Sequence, residues 1–253
     1  MPEDDSQLQE SDFIPYSTVT SLPPGPVLVL APHPDDEVLG CGGAIMRHVQ
    51  AGDAVEVVVA TDSDYGHFPD GADAIAMRRR ESAAAAEVLG YGQPAFWGLP
   101  DRHLQGSDGL VERIVRAIAA RQVAVVYAPS WWEVHPDHRA LAAAAVDAVR
   151  ASPESLVLSM YEVGMPLHPN RLLDITDLQD RKKAAIECFA SQLEVQRYDR
   201  HALALNTFRT YTLSGSIEAA EAFRVLTGSQ LRQLPAQAAR ARPCPIFGVR
   251  FDP

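Results

Sequence analysis

The sequence predicts an α/β protein in which helices cover both faces of a mostly parallel sheet. Short runs that are almost wholly apolar alternate with longer stretches of helical composition, and such runs are typical of strands buried on both faces. This alternation favours right-handed crossovers and a three-layer arrangement. The chain has 253 residues, of which 47% are hydrophobic, so it can build a large core without disulfide bonds.

Strands and helices alternate through the first two thirds of the chain. The predicted strands cover residues 27–31, 55–60, 94–97, 123–128 and 156–160. The predicted helices between them cover residues 38–50, 74–89, 108–121 and 137–149. The third helix has Leu110, Ile114 and Ile118 on one face, as a helical period requires. Further along, residues 161–176 are expected to be extended or looped, and residues 178–193 and 216–226 have helical composition.

The chain is expected to form one domain preceded by a short arm. Residues 1–26 are polar and acidic and end in a Pro-Pro-Gly-Pro segment, which predicts an irregular N-terminal arm. No repeat or low-complexity linker interrupts residues 27–253, so we expect a single domain there. Within it, residues 161–253 are expected to contribute loops of the pocket and additional helices.

Charge and cysteine usage exclude several classes of function. The formal net charge is −11, whereas surfaces that bind nucleic acids or anionic membranes are rich in Lys and Arg. The three cysteines are widely spaced, so neither a disulfide framework nor a cysteine zinc site is expected. The sequence has no signal-peptide pattern and no run of about 18 apolar residues. We therefore expect a cytoplasmic protein without an integral membrane segment or a nucleic-acid partner; its oligomeric state is not predicted.

Two short motifs carry most of the functional information. The motif His-Pro-Asp-Asp occupies residues 33–36, directly after the first predicted strand, and His-Pro-Asp-His occupies residues 135–138, after the strand at 123–128. In open α/β sheets, ligands bind beyond the carboxyl ends of the strands. Both motifs therefore belong to the same edge of the sheet, where His33, Asp36 and His138 are expected to meet.

Imidazole and carboxylate groups are ligands of zinc, and catalytic zinc sites have three protein ligands and one open position for water. We predict that His33, Asp36 and His138 hold one Zn²⁺ per chain. Other divalent metals accept the same ligands, so the identity of the ion stays open.

The other polar residues of the two motifs suggest an acid–base role. Asp35 lies beside the proposed ligand Asp36 and is placed to accept a proton from a bound water. His135 is expected to stabilise a developing oxyanion and to protonate the leaving amine. Asp137 is expected to hold His135 as an imidazolium.

Together the motifs resemble those of the zinc-dependent N-acetylglucosaminyl deacetylases of the PIG-L/LmbE type. The first motif lies within Ala-Pro-His-Pro-Asp-Asp-Glu at residues 31–37 and is followed by Gly-Cys-Gly-Gly at residues 40–43. Weaker similarities lie in the helix that contains Arg78 and Glu81, in Leu-Pro-Asp at residues 99–101, and in later short segments up to Ser-Gln at residues 191–192. The resemblance covers about residues 27–192.

The resemblance implies a Rossmann-like fold and the hydrolytic removal of an acetyl group from an N-acetylated amino sugar, as in an N-acetylglucosamine-type glycoconjugate. It implies the metal ligands and the general base named above. It also implies that Arg78 contacts the substrate and that Asp101 lines the pocket. Some members have a tyrosine at the position of Glu133, so the tyrosine's role is unassigned; Tyr65 and Tyr161 are candidates.

Simpler interpretations of these residues stay open. Asp35 and Asp36 have the composition of helix N-caps. The glycines at 40–43 lie inside the predicted helix, which favours close helix packing over a phosphate loop. Trp131 is either a core residue or an apolar platform for a sugar ring. The alternative functions are a metal-dependent amidohydrolase for a non-sugar amide and a non-catalytic Rossmann-type binding module.

Overall fold

A computed structural model describes residues 18–62 and 71–234. In these residues, eight strands form one mixed sheet with eight helices around it. The strands are β1 (Thr18–Val19), β2 (Val27–Ala31), β3 (Val55–Thr61), β4 (Ala95–Leu99), β5 (Val125–Pro129), β6 (Val157–Tyr161), β7 (Arg171–Asp174) and β8 (Ala220–Thr227). The helices are α1 (Asp36–Ala51), α2 (Gly71–Leu89), α3 (Leu110–Arg121), α4 (Pro136–Arg150), α5 (Gln179–Glu187), α6 (Ala190–Val195), α7 (Tyr198–Phe208) and α8 (Gly228–Gln233).

The strand order β1-β7-β8-β6-β5-β2-β3-β4 positions the candidate site. Strand β2 pairs in parallel with β3 on one side and with β5 on the other. The chain therefore leaves β2 in one direction and returns to its opposite side, which makes a topological switch point. At such a point a crevice opens beyond the carboxyl ends of the strands. The two sequence motifs follow β2 and β5 and border this crevice.

Alternate residues of the central strands pack against two different helical layers. In β2, Val27 and Val29 pack with residues of α1, α2 and α5, whereas Leu28 and Leu30 pack with residues of α3 and α4. All five residues of β2 are buried, as expected for a strand covered on both faces. The predicted three-layer α/β architecture with a mostly parallel sheet is confirmed.

The predicted elements of the first 161 residues are confirmed, with ends that differ by at most three residues. The stretch 178–193 forms α5 and α6, and the region 161–176 contains β7. Helix α7 was not predicted. Of the predicted arm, residues 1–17 lie outside the described residues, and Thr18–Val19 pairs with β7.

The helix predicted at 216–226 was wrong. Residues 220–227 form β8, which pairs antiparallel with both β6 and β7. The Ala- and Glu-rich composition favours a helix locally, but β8 is a central strand with Ala220, Ala222 and Phe223 buried. Pairing on both edges and burial outweigh local propensity in such a position.

A break divides α1 at Cys41, whose φ of −143° is not helical. The side chain of Glu221 in β8 reaches this break. Its carboxylate accepts hydrogen bonds from the backbone N–H groups of Gly43 (2.7 Å) and Ala44 (2.9 Å). These two N–H groups begin the second half of the helix and would otherwise be buried donors without an intrahelical partner. Glu221 therefore acts as an N-cap supplied by a distant strand.

Lys182 of α5 forms hydrogen bonds at the same break from the opposite side of α1 to Glu221. Its Nζ donates to the Leu39 carbonyl at 2.9 Å, near the end of the first half of α1, and to the Glu221 carboxylate at 2.7 Å. Both charged side chains are fully buried. The ion pair thus satisfies the donors and the acceptor that the broken helix exposes, and it joins α1, α5 and β8.

Two glycines of α1 allow close packing around this break. A Cβ at Gly40 would lie 2.2 Å from the ring of Tyr161, and one at Gly43 would lie 2.4 Å from Ile175. At Gly42 the nearest atom would be 3.6 Å away, an ordinary contact. The packing interpretation of this glycine segment is therefore supported for two of its three glycines.

Within residues 18–62 and 71–234, no helix combines the length and the apolar composition that crossing a membrane requires.

Removal of the buried lysine is expected to destabilise the fold strongly. Lys182→Met leaves Glu221 buried without its partner charge, which typically costs about 3–5 kcal/mol. Lys183→Met is the matched control, because the neighbouring Lys183 side chain is 55% exposed and lies 3.9 Å from Glu187. We expect this control to change the free energy of unfolding by less than about 0.5 kcal/mol. Denaturant titration followed by circular dichroism measures both, and equal losses would contradict the role of Lys182.

The two neighbouring glycines of α1 should respond differently to the same substitution. Gly43→Ala is expected to cost about 1–3 kcal/mol, because its Cβ would overlap Ile175. Gly42→Ala is expected to be neutral or slightly stabilising, because the new methyl group fits and alanine favours the helix. Thermal unfolding of the two variants tests this order, and a Gly42→Ala variant less stable than Gly43→Ala would refute it.

Candidate metal centre

The candidate site lies where three loops meet at the carboxyl edge of the sheet. These loops follow β2, β4 and β5, and they contribute His33, Asp101 and His135, respectively. The first turns of α1 and α4 add Asp36 and His138. The sequence therefore predicted correctly that these residues approach one another, although they are up to 105 positions apart in the chain.

Three atoms form a nearly equilateral triangle at the centre of the site. Nδ1 of His33 lies 3.1 Å from Oδ2 of Asp36, and Nε2 of His138 lies 3.2 Å from that oxygen. The two imidazole nitrogens are 3.3 Å apart. Tetrahedral zinc with bonds of about 2.0–2.1 Å separates its ligand atoms by about 3.3 Å. The spacing and the donor types therefore fit a divalent metal such as zinc.

Two carboxylates lie behind His33, on the side away from this triangle. Nε2 of His33 is 3.2 Å from Asp101 and 3.3 Å from Asp137. The Asp137 carboxylate is fixed in turn by the backbone N–H groups of Arg102 (2.5 Å) and Leu104 (3.0 Å). Acceptors at Nε2 favour the tautomer that leaves the Nδ1 lone pair free, as in carboxylate–histidine–metal arrangements. Asp101 and Asp137 therefore orient His33 as a ligand.

The charges around the triangle favour a cation. Burial alone lowers the pKa of His33, but its hydrogen bonds to Asp101, Asp137 and Asp36 outweigh burial and raise it well above the usual value. Burial likewise opposes the charged form of His138, yet the nearby Asp36 and Glu133 raise its pKa to about 9. Burial also raises the pKa of Asp36, but the two imidazoles hold it well below its ordinary range. Carboxylates surrounding imidazoles in this way stabilise positive charge, whether a proton or a metal carries it.

Asp35 is held in a strained conformation beside the triangle. Its φ of 117° is in a region that non-glycine residues rarely adopt, and it makes no side-chain capping bond to α1. Arg78 donates to the Asp35 carboxylate at 3.3 Å and to the Pro34 carbonyl. Burial raises the pKa of Asp35 to about 6; the Arg78 charge opposes this shift, and the Asp36 charge adds to it. These features argue against the simple N-cap interpretation of Asp35.

His135 differs from its predicted environment. Its Nδ1 accepts a hydrogen bond from the backbone N–H of Asp137 at 3.2 Å, while the Asp137 carboxylate points to His33. Burial lowers the pKa of His135, and the charges of His33 and His138 lower it further, although the Asp137 charge opposes these shifts. The expectation that Asp137 holds His135 as an imidazolium therefore does not match this geometry. A neutral His135 with its proton on Nε2 matches it better.

The predicted substrate-binding residues differ in position. Arg78 is buried beside Asp35, and Asp101 is buried against His33, so both contact site residues directly. Trp131 is partly buried and packs on the core below α3 and α4, which favours its core interpretation.

Of the candidate tyrosines, Tyr161 is buried and donates to the Leu30 carbonyl at 2.8 Å. Tyr65 lies outside the described residues.

A narrow, mostly apolar cleft borders Asp35 on the side of α5, α6 and α7. It is lined by Leu39, Ile186, Phe189, Gln192, Leu193 and Tyr198. Apart from Ser-Gln at residues 191–192, the sequence did not indicate this cleft, because most of its lining residues lie in or between α5, α6 and α7, which have no chemical motif. Their position becomes visible only once α5–α7 pack beside the first turn of α1.

Comparison with known proteins points to one family. The family described as PIG-L, GlcNAc-PI de-N-acetylase, matches residues 28–149, a span that contains both motifs. Diacetylchitobiose deacetylase of Thermococcus kodakarensis is 29% identical over 231 residues, which cover 83% of this chain and 86% of that protein. The uncharacterized deacetylase YaiS of Escherichia coli is 32% identical over 136 residues, which cover 51% of this chain and 71% of YaiS.

Two solved structures share the fold over most of the chain. The N,N′-diacetylchitobiose deacetylase from Pyrococcus horikoshii has a TM-score of 0.72 and 27% identity, with 80% of this chain and 84% of that chain covered. GalB, the 4-carboxy-2-hydroxymuconate hydratase from Pseudomonas putida, has a TM-score of 0.69 and 25% identity, with 81% and 96% covered. The matched span, the fold and these relatives together place the chain in the PIG-L family.

Proposed function

We propose that this protein is a zinc-dependent N-deacetylase that hydrolyses the acetamide of an N-acetylated amino sugar and releases acetate and a free amine. The observation that carries the proposal is the triangle of His33, Asp36 and His138 with the buried carboxylate of Asp35 beside it. The relatives named as deacetylases support the reaction class, and the names of two of them, which specify diacetylchitobiose, support an N-acetylated sugar.

His33, Asp36 and His138 would hold the metal in this proposal. When bound, a divalent ion supplies a water of lowered pKa and polarises the carbonyl of the substrate. Zinc is the proposed ion, because two imidazoles and one carboxylate are a ligand set that catalytic zinc uses. Asp101 and Asp137 would keep His33 in the tautomer that binds the ion.

Asp35 is the proposed general base. It accepts a proton from the water that attacks the amide carbonyl, and Arg78 holds its carboxylate in place for this transfer. A base works best when its pKa lies near the pH of the reaction, and burial raises the pKa of Asp35 to about 6. Asp35 has a φ of 117° and makes no side-chain capping bond, so its carboxylate is not occupied by the start of α1.

His135 is proposed to act on the opposite side of the amide. Because its Nδ1 accepts the Asp137 backbone N–H, the proton of the neutral ring lies on Nε2. An N–H group in that position can donate to the oxyanion of the tetrahedral intermediate. The proton that Asp35 has accepted then passes to the leaving amine.

Two other activities deserve a direct test. Hydration of a carbon–carbon double bond also needs an activated water and a base, and GalB, which shares the fold, is named as a hydratase. Hydrolysis of a non-sugar amide needs the same groups and differs only in the residues that recognise the substrate. The deacetylase proposal is favoured because several relatives are named as deacetylases and match this chain over most of their length.

Metal binding tests the proposed ligands independently of the proposed base. Wild-type protein is expected to bind about one equivalent of Zn²⁺ through three protein ligands. His138→Ala is expected to lose this binding, because it removes one corner of the triangle. Elemental analysis after dialysis and titration with a chromophoric chelator measure the stoichiometry and the affinity. Wild-type protein without metal, or a His138→Ala variant that binds as tightly as wild type, would contradict the site.

Asp35→Asn is expected to keep the metal and to lose activity by about 10²–10⁴-fold, because the amide cannot accept the proton. Asp36→Asn is the matched control from the neighbouring position, and it is expected to lose metal affinity as well as activity. Release of free amine and metal content are measured on the same samples. An Asp35→Asn variant with wild-type turnover would remove Asp35 from its role.

A substrate panel tests the reaction itself. N-acetylglucosamine, N,N′-diacetylchitobiose and a glucosaminide with an N-acetyl group are expected to release amine, since the site is proposed to act on sugar acetamides. N-acetylated amino acids are the non-sugar comparison, and an unsaturated dicarboxylate monitored in the ultraviolet is the hydratase comparison. Turnover confined to the non-sugar amide or to the dicarboxylate would replace the proposed function by that alternative.

A further inference from the structure

Glu133 occupies the position at which the family that the sequence resembles has a tyrosine in some members. It is fully buried and lies in the loop between β5 and α4. Its Oε1 accepts the backbone N–H of Val163 at 2.7 Å, and its Oε2 accepts that of Gly164 at 3.1 Å. The same Oε2 lies 3.4 Å from Nδ1 of His138. One carboxylate therefore contacts both the segment after β6 and an imidazole of the triangle.

The Nδ1 atom of His138 needs such a partner. It is buried, and within the described part of the chain it makes no hydrogen bond of regular geometry. Buried polar atoms are almost always hydrogen-bonded, and 3.4 Å is only a few tenths of an ångström beyond the usual N–H···O range of about 2.7–3.2 Å. Nε2 of the same ring faces Asp36 and His33 at the centre of the triangle.

The two backbone bonds determine how the Glu133 carboxylate is oriented. Each oxygen is committed to one N–H group of adjacent residues, so the carboxylate has little freedom to rotate. Oε2 keeps a further lone pair beyond the one used by Gly164, and this oxygen lies 3.4 Å from Nδ1 of His138. An acceptor at Nδ1 favours the tautomer with the proton on Nδ1 and leaves the lone pair of Nε2 free for the triangle.

We propose that Glu133 is a positioning residue for His138, which fixes the tautomer and the ring orientation of that imidazole and ties both to the segment after β6. The inference rests on the proposed function only in that His138 holds the metal. His33 is oriented by Asp101 and Asp137, and Glu133 performs the corresponding task on the other imidazole. Each histidine of the triangle thus has a carboxylate at its outer nitrogen.

Glu133→Gln is the sharpest test, because it keeps the shape of the side chain. One oxygen still accepts a backbone N–H, but the new NH₂ group would face His138 with a donor and favour the tautomer in which Nε2 is protonated. Loss of such an outer partner typically weakens metal binding by about 10–100-fold. We expect this loss in the dissociation constant for Zn²⁺, measured by competition with a chromophoric chelator. We also expect a changed absorption spectrum of the Co²⁺-substituted protein.

Glu162→Gln is the matched control. Glu162 is also a buried carboxylate that anchors the segment after β6, through the Leu167 backbone N–H at 2.8 Å and through Arg209. Within residues 18–62 and 71–234, Glu162 pairs with Leu167 and Arg209 and makes no contact with His138. A purely structural role of Glu133 would make both variants lose thermal stability alike and leave metal affinity and the Co²⁺ spectrum unchanged. We expect Glu162→Gln to bind Zn²⁺ within about threefold of wild type, as substitutions without a partner in the site usually do.

Gly164→Ala perturbs the same contact without changing Glu133. It provides the test if Glu133→Gln does not fold. A Cβ at Gly164 would lie 3.2 Å from Oε2 of Glu133, close enough to displace the carboxylate. A measurable loss of Zn²⁺ affinity, smaller than that of Glu133→Gln, is expected. Folded variants at positions 133 and 164 that bind Zn²⁺ like wild type would overturn the inference, as would an equal loss in Glu162→Gln.

The same measurements separate this inference from the proposed function. Wild-type protein that binds Zn²⁺ but releases no amine from any acetylated sugar would refute the proposed reaction, and the dissociation constants would still test Glu133. Wild-type protein that binds no divalent metal would overturn both. Wild-type activity on a sugar with unchanged affinity in Glu133→Gln would overturn the inference alone.

Discussion

The break in α1, closed by the buried ion pair of Lys182 and Glu221, is the constraint on which the rest of the structure depends. The first half of α1 starts at Asp36 and must direct that carboxylate toward His33 and His138. The second half packs on the sheet through Gly43. Because the ion pair satisfies the polar groups at the break, each half follows its own packing, and neither leaves buried donors or acceptors unpaired.

A second constraint is electrostatic. Asp36, Asp101 and Asp137 all lie within hydrogen-bonding distance of His33, so a ring that is mostly buried is surrounded by acceptors. Such a concentration of negative charge inside a protein is unfavourable unless a cation balances it. The backbone amides that hold the Asp137 carboxylate lower part of this cost. A cation at the site would therefore also stabilise the loops that carry these carboxylates.

Much of this arrangement could be predicted from the sequence, because buried parallel strands have a clear apolar signature and their ends share an edge. That reasoning placed His33, Asp36 and His138 together. It failed for β8, where pairing between β6 and β7 overrides an Ala- and Glu-rich composition. It did not predict that the Asp137 carboxylate contacts His33, since neighbours in a motif need not face each other once a helix begins between them. Contacts such as that of Glu133 depend on loops that have no periodicity.

The antiparallel strand β8 has a consequence for how the protein folds. Glu221 caps the break in α1 from a position 178 residues after Gly43, so the helix that begins the site stays incomplete until nearly the whole described chain has been made. Contacts of such long sequence separation form late and slowly. Formation of the candidate site therefore depends on a contact that only β8, near the end of the described residues, supplies.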